Sequence, residues 1–206
     1  MNILENIELF IDEEDDLDGV HALSVVGLPA IEMGFIALSA QQQKEIKLAE
    51  VSTEKRILMG PALIPDKRIY RRLDDYEYTI SLNADTVLKA SQMFLKAKNQ
   101  SNSTLEHSEI LEGLTVVESW IVDNPKMDKA KEYGFDVPKG TWMTSVKVDN
   151  DEIWNDYVKT GLVKGFSIEG FFSEKLDMKK IESLLKQDEE KQLLNKIKEI
   201  IEQDGR

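Results

Sequence analysis

Gly161-Leu162-Val163-Lys164-Gly165-Phe166-Ser167-Ile168-Glu169-Gly170-Phe171-Phe172 sets one serine among apolar and aromatic residues, with glycine two positions before it and three after. The pattern reads as a strand, and glycines there let other backbone or a ligand approach closely. Alternation puts Val163, Gly165, Ser167 and Glu169 on one face. With no side chain at Gly165, room is expected above the Ser167 hydroxyl for a substrate carbonyl. Serine is a weak nucleophile until a neighbouring base takes its proton, and imidazole does this well at neutral pH. The chain has two histidines, His21 and His107, the second within Thr104-Leu105-Glu106-His107. A serine in an apolar strand is more often structural than catalytic, so these residues alone do not decide the matter.

Composition narrows the classes. With 206 residues the chain can form one domain of ordinary size plus an extension. Its 39 acidic and 26 basic residues give a net charge of −13, which argues against a nucleic-acid surface. There is no cysteine, so disulfides, thiolate metal sites and a cysteine nucleophile are excluded. Two histidines leave little for a zinc site, though carboxylates can still take Mg²⁺ or Ca²⁺; no metal or cofactor is expected. No apolar run approaches the ~20 residues of a membrane span, and Met1–Asn6 lacks a basic leader region. A cytosolic protein without membrane attachment is expected.

Strands are expected over Ile3–Ile11, Gly19–Gly27, Arg56–Ile64, Leu114–Val122 and Thr141–Val148, with Asp12–Asp16 as a solvated turn. Ala40–Lys55 reads as a polar surface helix or loop, and Gly60-Pro61 marks a bulge or edge. Arg68–Arg72 and Tyr76–Leu82 form a hairpin through Asp74-Asp75. Thr86–Lys98 is helical, with Val87, Ala90, Phe94 and Ala97 on one face and Asn83 or Asp85 as cap. Thr104–Ile110 is a short strand holding His107, and Asp123–Pro138 a long charged loop. Asp149 and Glu152 open a helix running through Lys159, closed by Gly161. Beyond Asp177, leucines and isoleucines stripe a Lys/Glu-rich amphipathic helix. Two parts follow: residues 1–176 as one α+β domain with a β-barrel-like core and covering helices, and 177–206 as the C-terminal helix. That helix either packs on the domain or serves as a scaffold-like targeting segment.

Pro65-Asp66-Lys67-Arg68-Ile69-Tyr70, Asn102-Ser103-Thr104-Leu105-Glu106-His107, Val117-Glu118-Ser119-Trp120-Ile121, Pro138-Lys139-Gly140-Thr141-Trp142-Met143 and Gly165-Phe166-Ser167-Ile168-Glu169-Gly170 occur in this order. Together, from about Gly19 to about Phe172, they resemble the XkdF-like group of phage serine proteases. That group is related to the prohead proteases of tailed phages and, more distantly, to herpesvirus assemblins. The resemblance implies an assemblin-like fold and a serine endopeptidase. Its substrates would be phage scaffold and major capsid proteins, cut inside the assembling procapsid in the host cytoplasm. Ser167 would be the nucleophile and His107 the general base; self-association is left open.

The third member of such a site usually comes from a strand after the nucleophile, ending in a valine-rich stretch and Pro-Ala. Here that stretch stands at the other end of the chain, as His21-Ala22-Leu23-Ser24-Val25-Val26-Gly27-Leu28-Pro29-Ala30. A circularly permuted fold would let His21 orient His107. Glu109, Asp123 and Glu169 are the alternatives, as is a simple dyad. Oxyanion donors are sought near Lys164-Gly165 or after Asp123. The rival readings are a catalytically silent assembly protein of the same fold and a small-molecule serine hydrolase.

Overall fold

The computed structural model describes residues 4–12, 14, 17–38, 55–73 and 76–174. The chain divides into two units, Met1–Ser173 and Glu174–Arg206. The Ala40–Lys55 connection falls almost wholly, and the amphipathic helix beyond Asp177 entirely, outside the described residues.

The first unit is mostly sheet. Its strands are β1 (Glu5–Phe10), β2 (Gly19–Val26), β3 (Ile36–Leu38), β4 (Ile57–Leu63), β5 (Ile69–Leu73), β6 (Tyr76–Leu82), β7 (Ser103–Leu105), β8 (Glu109–Leu111), β9 (Leu114–Ile121), β10 (Trp142–Val148) and β11 (Gly165–Phe171). β1 lies parallel to β6, which pairs antiparallel with β5. A second sheet runs β3-β4-β10-β9 and a third β11-β2-β7-β8. The α+β class holds, but among the described residues the ladders stay separate and close no barrel. Near the start of β11, the Phe35 amide bonds the Lys164 carbonyl at 2.8 Å and the Phe35 ring tilts onto Phe166, 5.1 Å between centroids.

Helix α1 (Ala84–Lys96) forms where expected. The Asn83 side chain accepts from the Thr86 amide as its cap, and Val87, Ala90 and Phe94 are buried at helical spacing. Ala97 falls at the C-cap and is exposed. The Phe94 ring meets Trp142 edge-on at 5.5 Å, and Trp142 Nε1 donates to Ser119 Oγ at 2.9 Å. The N–H of this fully buried indole is thereby satisfied. These two rings share one core with Leu23 and Val25 of β2, Leu58 and Leu63 of β4, and Phe166 of β11.

One local reading holds and two change. Gly60-Pro61 lies beside a register shift in β4–β10, just past the three residues that pair with β3. Pro61, which has no N–H, therefore sits where β4 lacks that neighbour. The segment after β10 is a π-helix over Ile153–Val158, preceded by two α-helical residues, Asp151 and Glu152, and the side chain bonding its first turn is Asn150, which accepts from the Ile153 amide at 3.0 Å, rather than Asp149. Within Asp123–Pro138 a four-residue helix, α2 (Lys129–Glu132), is capped by Asp128.

Candidate active site

β11 alternates as a half-buried strand does. Phe166 and Ile168 pack on the core, while Gly165, Ser167 and Glu169 take the other face. Val163, expected on the serine's side, precedes the strand and lies in the core. Ser167 stands opposite Ser24 of β2, and Ser24 stands opposite Thr104 of β7. Three hydroxyl residues thus form a row across three strands. Ser167 is only 9% exposed and its hydroxyl has no hydrogen-bond partner among the described residues. No fully buried side-chain oxygen among them is left unbonded, so this one reaches solvent.

His107 is not on a strand. It sits in the turn between β7 and β8, closed by the Ser108 amide on the Leu105 carbonyl at 3.0 Å. Glu106 and His107 both have positive φ, 49° and 57°, the left-handed region that costs side chains other than glycine. Four contacts hold this conformation. The Glu106 amide bonds the Val25 carbonyl at 3.1 Å, and Glu106 Oε1 accepts from the Gly27 amide at 2.7 Å. The His107 amide donates to Ser24 Oγ at 3.0 Å, and His107 Nδ1 lies 3.1 Å from Glu169 Oε1.

The same Glu169 oxygen accepts from the Thr104 hydroxyl. A carboxylate only accepts, so Nδ1 carries the ring proton and Nε2 presents its lone pair. Glu169 is two residues from Ser167 on one face, and Ser24 neighbours both Ser167 and the His107 backbone. The arrangement brings an imidazole, a carboxylate and an unbonded hydroxyl to one face of the β11-β2-β7 sheet and the turn that follows β7.

His21 does not meet His107 in a hydrogen bond. It is the extra residue of a bulge, since Glu169 pairs with Ala22 but Gly170 with Val20. Gly170 permits this: a Cβ there would stand 2.1 Å from the Gly19 carbonyl oxygen. The His21 Nε2 lies 2.8 Å from the Leu17 carbonyl and the ring packs edge-on against Phe171 at 5.7 Å. With Glu169, Thr104, Asn102 and Ile110 it lines a cavity of about 570 Å³. Glu109 is exposed at the start of β8. Asp123 pairs with Lys139 at 2.8 Å, which holds its carboxyl below the ordinary range.

The room expected above Gly165 is taken. A Cβ there would lie 2.6 Å from Cγ and 2.7 Å from Cβ of Pro29, and 3.1 Å from the Met33 carbonyl oxygen. The Lys164 amide, a candidate oxyanion donor, bonds the Val26 carbonyl at 2.7 Å. Among the described residues no group of three or more His, Asp or Glu is placed to hold a metal ion, and no helix is long and apolar enough to cross a membrane.

The family described as "Putative phage serine protease XkdF" matches residues 45–176. No curated protein and no solved structure matches the chain. The matched span takes in His107, Ser167 and Glu169 and leaves out β2 with His21 and Ser24. It covers more than half of the chain, and on that ground the protein belongs to the XkdF family of phage serine proteases.

Proposed function

We propose that the protein is a serine endopeptidase of phage capsid maturation, cutting scaffold or capsid-protein segments through an acyl-enzyme on Ser167. The observation that carries this reading is the His107 Nδ1–Glu169 contact of 3.1 Å, two residues along β11 from a serine whose hydroxyl is unbonded among the described residues. Ser167 Oγ attacks the peptide carbonyl as its proton passes to His107 Nε2. Glu169 keeps the ring in the required tautomer and offsets the charge of the imidazolium. Collapse of the tetrahedral species returns that proton to the leaving amine. Water, deprotonated by the same nitrogen, then releases the acyl group. In a resting site the serine–histidine bond is often long and tightens only with substrate bound.

Placement in capsid maturation rests on the phage family and on the resemblance to prohead proteases. The test is to incubate the protein and its Ser167→Ala variant with the cognate scaffold and major capsid proteins and follow intact masses. Defined fragments that appear with the unaltered protein alone are expected. Uncut scaffold and capsid protein, stably bound, would replace the protease reading with an assembly role. Turnover of activated esters without cleavage of either protein would leave a small-molecule hydrolase.

A further inference from the structure

Ser24 is fully buried on β2, between Ser167 on one side and Thr104 on the other. Its hydroxyl oxygen accepts the His107 amide at 3.0 Å, and the hydroxyl points to the Thr104 carbonyl at 3.4 Å. It therefore ties the base-bearing turn to the strand beside the nucleophile. β2 lies outside the residues matched to the family, so this support comes from a part of the chain that the family match does not reach. The ring contact to Glu169 is partly exposed, at 43% and 32% of the two side chains, and cannot by itself hold a left-handed turn rigid in water.

We infer that Ser24 is a positioning residue, fixing the His107 turn so that the ring stays on Glu169, on the strand that carries Ser167. The inference rests on the roles proposed above for His107 and Ser167. Ser24 touches no reacting atom; it acts through the His107 backbone. Without its oxygen, the His107 amide loses its acceptor and the strained turn loses one of four anchors.

The experiment labels Ser167 with a fluorophosphonate. The serine oxygen bonds to phosphorus, fluoride leaves, and the hydroxyl proton passes to His107 Nε2. In Ser24→Ala the limiting labelling rate should fall about tenfold or more, with the half-saturating reagent concentration within about twofold, because positioning affects the chemical step and not reagent binding. His21 and His107 are the only imidazoles, so the hydrogen-bonded Nδ1–H of His107 can be followed by nitrogen-edited NMR, and it should broaden or vanish. Ser91→Ala serves as control, since it removes another buried serine hydroxyl, bonded to Leu88 O in α1. It should leave both signals unchanged. An unchanged labelling rate and an unchanged His107 ring signal in Ser24→Ala would overturn the inference. If the unaltered protein is not labelled at Ser167, the protease reading falls and the ring signal alone decides Ser24: lost upholds its positioning role, retained refutes it. Should Ser24→Ala fail to fold, hydrogen exchange in the unaltered protein decides. A His107 amide that exchanges as fast as an unstructured one refutes the bond, and a protected one upholds it.

Discussion

Replacing Glu169 with glutamine isolates what the carboxylate charge contributes to the base. One oxygen, Oε1, receives both the His107 Nδ1–H at 3.1 Å and the Thr104 hydroxyl. Because both donors converge on one atom, the glutamine carbonyl oxygen can take its place and keep the tautomer. What is lost is charge. A hydrogen bond to a charged group is worth about 1.5–3 kcal/mol and a neutral one about 1. With roughly a third of the glutamate side chain exposed, solvent screening puts the difference in the lower half of that span, about 1 kcal/mol. At ~1.4 kcal/mol per decade this is a loss of about fivefold in the rate of Ser167 acylation. The losses of about 10⁴ seen when a buried triad acid becomes an amide come from a reversed tautomer, and the fivefold figure holds for the amide orientation that keeps its oxygen on His107 and Thr104. Glu169→Ala removes the acceptor as well and should cost about 100-fold, from ~2–3 kcal/mol for a charged hydrogen bond. His21→Ala, whose ring contacts go to Leu17 and Phe171, should stay within about threefold. The assay is the second-order rate of fluorophosphonate labelling, with Ser167→Ala as blank. Glu169→Gln at the unaltered rate together with a His21→Ala loss of a hundredfold would refute the argument and restore His21 as third member.

Three further outcomes follow from packing and charge. Gly165→Ala drives a methyl into the Pro29 ring at 2.6 Å; overpacking of this kind costs about 1–3 kcal/mol, or roughly 3–10 °C in Tm for a domain this size, and an unshifted Tm would show that Pro29 is not seated there. Phe94→Ala empties a fully buried site against Trp142 and should cost about 3–5 kcal/mol, read from urea midpoints; a loss under about 1 kcal/mol would contradict the shared core. Burial of Glu118 would raise its pKa, but hydrogen bonds from Lys129 Nζ at 2.6 Å and Ser145 Oγ at 2.5 Å, with the Lys129 charge, hold it below its ordinary 4.5. A lowered folded-state pKa stabilises above pH 4.5, and that contribution is lost as pH falls through the folded value. Glu118→Gln should therefore unfold at lower temperature than the unaltered protein at pH 7, by about 1–4 °C for a pair this exposed, with the gap closing in acid; a gap that widens below pH 4 has the wrong sign.

Most strands and α1 could be placed from the sequence because their signal is local. β4 carries a near-continuous apolar run, β2, β9 and β10 are rich in valine or tryptophan, and α1 carries Val87, Ala90 and Phe94 at helical spacing behind an asparagine cap. Sheet order is not local, and neither is closure: both depend on which ladders form between strands far apart in sequence, as β2 with β11 and β4 with β10. The site divides the same way. Ser167 and His107 stood out through their neighbours in sequence, and Glu169 was one of several alternatives. That the His107 ring meets Glu169 and not His21 goes with a bulge one residue long, beside which the His21 ring lies against the Leu17 carbonyl. Ser24 gave a faint signal, one hydroxyl in the apolar run Ala22-Leu23-Ser24-Val25-Val26. A polar group buried there needs partners, but only the fold names them.

The turn that carries His107 escaped the sequence reading for a reason that bears on its function. Two consecutive left-handed residues call for Asn-Gly or Gly-Gly, and Glu106-His107 is neither, so the stretch reads as strand. Each such residue costs about 1–2 kcal/mol. The four contacts that hold the turn return about 1 kcal/mol each, rather more where a carboxylate takes part. Cost and return are comparable, so the turn persists only while its anchors do. Glycine would remove the strain but carries no imidazole, and asparagine carries no base. Strain of this kind survives where a side chain is needed at a position the backbone disfavours. That points to the His107 ring, and it makes the partners of the turn, Ser24 and Glu106 before Glu169, the residues on which its placement depends.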